Sequence, residues 1–141
     1  MSPKAKATAP AGARVLIVDD DESMRLLLAK YLTSALNVEA TLAGTGEEAL
    51  RLADKHLYDA ILLDLLIPGT SGFKVLRSLR AGSRNAKTPV IIVSVLSETF
   101  TKEHCLSAGA NAYIAKPVNR NSLVATVKAQ LAAGPAPRPE K

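Results

Sequence analysis

Four short apolar runs in this chain each end on a reactive side chain: Val15–Val18 before Asp19 and Asp20, Ala60–Leu63 before Asp64, Val90–Val93 before Ser94, and Ala112–Ala115 before Lys116. None alternates apolar with polar positions, the pattern of strands buried on both faces, as in a parallel sheet covered by helices. A fifth run, Val38–Leu42, is less apolar and reads as a strand at the sheet edge. Helical spacing fills the intervals. From about Glu22 to Ala35 it puts Met24, Leu27, Leu28, Tyr31 and Leu32 on one face. Thr45-Gly46-Glu47-Glu48 offers a capping box for a helix running to about Lys55. After the loop Leu65–Gly72, a helix carries Phe73, Leu76 and Leu79 and stops at Gly82. Ser97 is the predicted cap of the next helix, which Gly109 ends, and the last helix, from about Asn119 to Ala132, aligns Leu123, Val124, Val127 and Leu131. The pattern is five strands alternating with five helices, and right-handed crossovers leave few topologies for it.

In such a sheet all strands point the same way, so the residues just beyond their ends collect along one edge, where open α/β folds bind ligands. Asp19, Asp20, Asp64, Ser94 and Lys116 therefore converge although nearly a hundred residues separate the first from the last. Two carboxylates about 4 Å apart repel by roughly 4 kcal/mol at an effective dielectric near 20, so converging Asp19, Asp20 and Asp64 raises a pKa or recruits a cation. A hard, oxygen-seeking ion such as Mg2+ removes that penalty while taking one or two carboxylates plus phosphate oxygens. Asp64, ending the most apolar strand, is the candidate nucleophile, since carboxylates attack phosphorus to form aspartyl phosphates. Lys116 supplies positive charge to phosphoryl oxygens and Ser94 a hydrogen bond. Within the acidic run Asp19–Glu22, Asp20 or Asp21 also serves as a helix cap. Lys116 precedes Pro117, which restricts it to extended backbone and permits a cis bond.

Composition narrows the classes. At 141 residues the chain fits one domain. Aromatic residues make up 4% with no Trp, which gives little surface for stacking bases. The net charge of +5 is concentrated in the ends: residues 13–133 hold 14 basic and 12 acidic side chains, so direct nucleic-acid binding is not expected. Residues 1–12 and 134–141 are rich in Ala, Pro and Lys and read as disordered, the second as a tail or the start of a linker. The lone Cys105 has no internal disulfide partner, residues 1–12 lack the apolar core of an export signal, and no run reaches membrane-spanning length. A cytoplasmic location is the expectation. His56, His104 and Cys105 lie in helical segments as surface or packing residues, and Gly44-Thr45-Gly46 lacks the Gly-Lys-Ser/Thr of a nucleotide loop.

With Asp19-Asp20, Asp64 followed by Pro68 and Gly72, Ser94, and Lys116-Pro117 all in order at strand ends, residues 13–133 resemble the receiver domain of bacterial two-component response regulators, of the single-domain, chemotaxis-regulator-like kind. The resemblance implies a flavodoxin-like three-layer sandwich with a five-stranded parallel sheet of order 2-1-3-4-5. It implies phosphoryl transfer onto Asp64 from a phosphohistidine of a histidine kinase or histidine phosphotransfer protein, with intrinsic autodephosphorylation rather than metabolic catalysis. Asp20, Asp64 and the Leu66 backbone carbonyl hold Mg2+ in this scheme, Asp19 acts mainly through water, and Ser94 and Lys116 bind the phosphoryl group. Ser94 and Tyr113 form the switch, and the face of the fourth helix, fifth strand and fifth helix signals to a downstream target protein, from a monomer or a phosphorylation-dependent dimer. Val95 stands where the family has a small residue and narrows access to Asp64, while Leu66 and Leu96 replace polar groups able to guide water, which together predict a long-lived aspartyl phosphate. Two alternatives stay open: a phosphorylation-independent interaction module, and a small phosphohydrolase of the haloacid dehalogenase type, although Leu66 stands where such enzymes place a second acid.

Overall fold

The computed structural model describes residues 12–133; apart from Gly12, the two expected Pro-rich tails lie outside the described residues. Five strands alternate with five helices: β1 (Ala13–Val18), α1 (Glu22–Ala35), β2 (Val38–Ala43), α2 (Gly46–Lys55), β3 (Ala60–Leu63), α3 (Gly72–Arg80), β4 (Val90–Ser94), α4 (Thr99–Ser107), β5 (Ala112–Ala115) and α5 (Arg120–Ala133). All strand pairs are parallel, in the order β2-β1-β3-β4-β5. This is the flavodoxin-like α/β arrangement that the family resemblance implies.

The apolar runs form strands because both of their faces are covered. Leu16, Val18, Ile61, Leu63, Val90 and Ile92 turn toward Ala49, Ala53, Val75, Leu76, Leu79 and Cys105 of α2, α3 and α4. The alternate residues Val15, Ile17, Leu62, Ile91 and Val93 pack on Leu28, Leu32, Leu123, Val127 and Leu131 of α1 and α5. Every residue of β3 and β4 is buried, whereas β2 and β5, at the edges, are only partly covered.

The helix ends follow local chemistry. Asp21 caps α1, accepting from the amides of Ser23 and Met24, and Asn119 accepts from Ser122 at the start of α5. Thr45 accepts from Glu48, whose carboxylate reaches back to the Gly44 amide. Two expectations need correction. Ser97 does not cap α4: the N-cap is Glu98, one residue later, and it makes no side-chain cap hydrogen bond. Leu27 does not belong to the buried face of α1. It is 38% exposed beside Leu26 at 54%, because the contact with the sheet narrows to the stripe of Leu28 and Leu32.

At the edge where the strands begin, polar groups are satisfied internally. Asn85, with 0% exposure, donates to the carbonyls of Ala53 and His56 and accepts from the Tyr58 amide and the Thr88 hydroxyl. Arg80 binds the carbonyls of Asn85, Ala86 and Gly109 and the side chain of Asn111, tying the end of α3 to the turn before β5. Burial holds its guanidinium below the ordinary arginine value. His104 stacks between Phe73 and Phe100, with ring centroids 4.4 Å and 5.7 Å away. Cys105 is buried, which pushes its thiol above its ordinary pKa.

Because Asn85 satisfies four buried groups at once, Asn85→Ala leaves several of them unpaired. We expect a loss of about 3 kcal/mol, roughly 10 °C in Tm, measurable by thermal or urea unfolding.

Candidate functional site

β1 and β3 lie side by side with Val18 opposite Leu63, so the residues after them are neighbours. The Asp64 amide donates to the Val18 carbonyl at 3.0 Å, and the Asp19 amide to the Ala43 carbonyl at 3.1 Å. Asp19 and Asp64 are buried, with 1% and 5% exposure, while Asp20 faces solvent. One ligand oxygen from each of Asp19, Asp20 and Asp64 lies within 4.8 Å of the others.

Lys116 reaches this cluster from the far side of the sheet. Its ammonium donates to Asp19 Oδ2 at 2.7 Å and to Asp64 Oδ2 at 2.9 Å. Its main-chain amide donates to the Ser94 carbonyl at 2.9 Å, and the Lys116–Pro117 bond is cis. Burial alone lowers the Lys116 pKa, but hydrogen bonds and the charges of Asp19 and Asp64 outweigh it and the net shift is upward.

The remaining oxygens are also fixed. Asp19 Oδ1 accepts from the Asp21 amide and Asp64 Oδ1 from the Leu66 amide, at 2.9 and 3.1 Å. Arg25, which carried no signal in the sequence, donates from Nη1 to the Asp19 carbonyl at 2.7 Å. One ammonium thus serves two of the three carboxylates, and Asp20 has no ion-pair partner among the described residues. That donor set, oxygen-only and negative in sum, suits a hard divalent cation held by carboxylates.

Ser94, fully buried at the end of β4, lies between the strands carrying Asp64 and Lys116. Its hydroxyl accepts from the Leu96 amide at 3.3 Å. The Leu96 carbonyl in turn accepts from the half-buried Tyr113 hydroxyl, while Lys102 lies 5.9 Å from the Tyr113 ring. Burial pushes the Tyr113 phenol above its ordinary value, and nearby Cys105 adds to this. Leu66 and Val95, the residues next to the site, are 51% and 57% exposed, and Leu96 is half-buried. The structure therefore gathers Asp19, Asp20, Asp64 and Lys116 in mutual contact or close range, with Ser94 and Tyr113 linked beside them through Leu96.

Comparison with known proteins agrees with this geometry. Residues 15–128 match the family described as response regulator receiver domain. The transcriptional regulatory protein TcrA of Mycobacterium tuberculosis is 36% identical over 129 residues, covering 92% of this chain and 50% of TcrA. The chain spans about half the length of the curated relatives it matches. Among solved structures, the receiver domain of the Francisella response regulator 1452 aligns with a TM-score of 0.80 at 31% identity, covering 86% of this chain and 98% of that one. The receiver domain of sensor histidine kinase PA1611 from Pseudomonas aeruginosa, solved with a magnesium ion coordinated in its active site cleft, aligns at 0.78 with 32% identity over 86% and 98% of the two chains.

Lys116 is the only cation bonded to the two buried carboxylates among the described residues, so Lys116→Met strands both. In buffer free of divalent ions we expect it to cost about 3 kcal/mol by urea unfolding at neutral pH. Because the folded Lys116 pKa is raised, this stabilisation is present in full below the ordinary lysine value of 10.5 and is lost as pH climbs through the raised value. The gap between wild type and variant should hold steady from pH 7 to about 10 and close only above that range.

Proposed function

Given that the chain belongs to the response regulator receiver domain family, we propose that it is a phosphorylation-activated signalling switch whose Asp64 accepts a phosphoryl group from a phosphohistidine of a histidine kinase or histidine phosphotransfer protein. The observation that carries this is the grouping of Asp19, Asp20 and Asp64 within 4.8 Å, with a single ammonium bonded across two of them. Asp20, Asp64 and the Leu66 carbonyl would hold Mg2+, with Asp19 acting through water; the magnesium in the PA1611 receiver domain supports that choice of ion. When bound, the cation neutralises the carboxylates and offsets charge on the transferring phosphoryl oxygens.

The chain's own groups do the rest. An Asp64 carboxylate oxygen attacks phosphorus, the bond from phosphorus to the donor imidazole nitrogen breaks, and its electron pair leaves with the imidazole. Lys116, already on Asp64, is placed to pair with a phosphoryl oxygen, and the Ser94 hydroxyl exchanges its present role as acceptor for donation to another. The exposed apolar residues Leu26 and Leu27 of α1 give a donor protein a surface to rest on close to the acidic edge. Output passes through Tyr113 and the face of α4, β5 and α5 to a downstream target protein, and the cytoplasm is the compartment that fits these partners.

Incubation with acetyl phosphate tests the chemistry directly. Intact mass should rise by one phosphoryl group in wild type with Mg2+, and stay unchanged with a chelator or in Asp64→Asn. A metal-independent gain, or one retained in Asp64→Asn, would remove Asp64 as the acceptor. The apolar rim of Leu66, Val95 and Leu96 predicts slow hydrolysis, over minutes or longer. Leu66→Asn, which offers a group to guide water, should speed decay of the phosphorylated protein by about tenfold, equivalent to ~1.4 kcal/mol of barrier. Loss from wild type within seconds counts against that rim's role.

A further inference from the structure

The loop of residues 64–72 presents both Asp64 and the main chain of Leu66. Its two ends are fixed locally, by the Leu66 amide on Asp64 Oδ1 and the Gly72 amide on the Leu65 carbonyl, each at 3.1 Å. Its far bend is held by a side chain from another element. Glu47, in the first turn of α2, accepts on Oε2 from the Thr70 amide at 3.0 Å and from the Thr70 hydroxyl at 2.9 Å. The two segments approach too closely for a Cβ at two points, once between main chains and once between main chain and the Glu47 carboxylate. A Cβ on Gly46 would sit 2.1 Å from the Thr70 carbonyl oxygen, and Gly69, at φ +75°, would put one 2.4 Å from Glu47 Oε1.

The same turn before α2 also supports the acid pair. Ala43 accepts from the Asp19 amide at 3.1 Å, and Gly44 lies against the Arg25 guanidinium that binds the Asp19 carbonyl. Residues 43–48 therefore touch both acid-bearing loops, one by main chain and one through Glu47. A small cation that demands near-octahedral geometry tolerates little drift in a main-chain ligand.

We propose that Glu47 is a positioning residue for the Asp64 site, holding Thr70 so that the loop, and with it the Leu66 carbonyl, keeps its place relative to the carboxylates. This role depends on the Mg2+-assisted phosphorylation proposed above. Hydrogen bonds from its own amide, from the Thr70 hydroxyl and from the Thr70 amide hold the Glu47 carboxyl below the ordinary range, so the acceptor is ionised at neutral pH. Among the described residues Glu47 makes no hydrogen bond or ion pair with Asp19, Asp20 or Asp64, and its side-chain hydrogen bonds go to Thr70.

Mg2+ titrations of the full chain followed by amide chemical shifts, in wild type, Glu47→Ala, Glu47→Gln, Thr70→Val and the Glu47→Ala/Thr70→Val double variant, test this. Glu47→Ala and Thr70→Val should each weaken Mg2+ binding about three- to tenfold, the size expected for hydrogen bonds to a charged but solvent-facing group. The double variant should be no weaker than Glu47→Ala. Glu47→Gln, whose amide oxygen still accepts from both Thr70 donors, should stay within about twofold of wild type. The Thr70 amide should exchange faster with solvent in metal-free Glu47→Ala than in wild type, with Tm recorded for each variant as the control for folding. If Glu47→Gln is as weak as Glu47→Ala, simple charge attraction is at work and the bracing role is overturned. If wild type binds Mg2+ and both Glu47→Ala and Thr70→Val match it, only Glu47's role falls; if wild type neither binds Mg2+ nor gains a phosphoryl group, the phosphorylation switch falls with it.

Discussion

Lys116 bonds to Asp19 and Asp64 across the end of the sheet, and the rest of the site is arranged around that contact. The strand order makes it demanding: Lys116 follows β5 at the sheet edge, Asp64 follows β3, and Asp19 follows β1 beyond that. With strands about 4.8 Å apart, the side chain has to pass over the end of β4 to arrive. The residue there is Ser94, small and fully buried, whose carbonyl also takes the Lys116 amide. A bulkier side chain at that position would stand in the path of the ammonium. Ser94 is thus part of the passage that lets one cation serve two carboxylates from different strands.

The two edges of the sheet divide the work. Where the strands begin, Asn85 and Arg80 satisfy carbonyls and amides from several loops, and the Arg14 and Asp59 main chains and the Asp59 carboxylate close the gap between β1 and β3. Little at that edge invites a ligand, because its buried polar groups are largely paired with one another. Where the strands end, three carboxylates meet one ammonium and the charge does not balance. A largely paired edge and a two-sided apolar core keep the imbalance in place, since carboxylates on a loose loop would drift apart rather than share a cation.

Much of this was legible in the sequence, for a physical reason. Strands such as Ile61–Leu63 and Val90–Val93 are buried on both faces, so their composition alone distinguishes them, and Asp21, Thr45 and Asn119 cap through contacts two or three residues away. The convergence of Asp19, Asp20, Asp64 and Lys116 followed from parallel strand direction, with no need to know any contact. The exceptions share a cause. Leu27 has the right helical spacing, but how wide a stripe α1 buries is decided by the sheet beneath it. Ser97 has the right chemistry for a cap and the wrong position by one residue. Asn85, Arg80, Arg25 and the Glu47–Thr70 pair act through main-chain groups or polar partners as far as 32 residues away, and such contacts leave no period and no local motif.

The link between the acid site and the outer face of the molecule can be followed through a single residue. Leu96 donates its amide to the Ser94 hydroxyl and accepts the Tyr113 hydroxyl on its carbonyl, so both of its main-chain polar groups are engaged, one on each side. In the proposed switch, a phosphoryl group on Asp64 competes for Ser94. If the Ser94 side chain rotates so that its hydroxyl donates to the phosphoryl group, its oxygen moves away from the Leu96 amide, and the peptide groups flanking Leu96, including the carbonyl that holds Tyr113, lose one of the two bonds that orient them. The connection is short, because Ser94 and Tyr113 are joined by two hydrogen bonds and one residue. Tyr113 lies on β5 with Lys102 of α4 near its ring, so a displacement at Leu96 reaches the α4–β5 surface directly. The size of the response is then set by how differently the phosphoryl group interacts with the two positions of Ser94, since a ligand shifts an equilibrium only by its differential affinity for the two states.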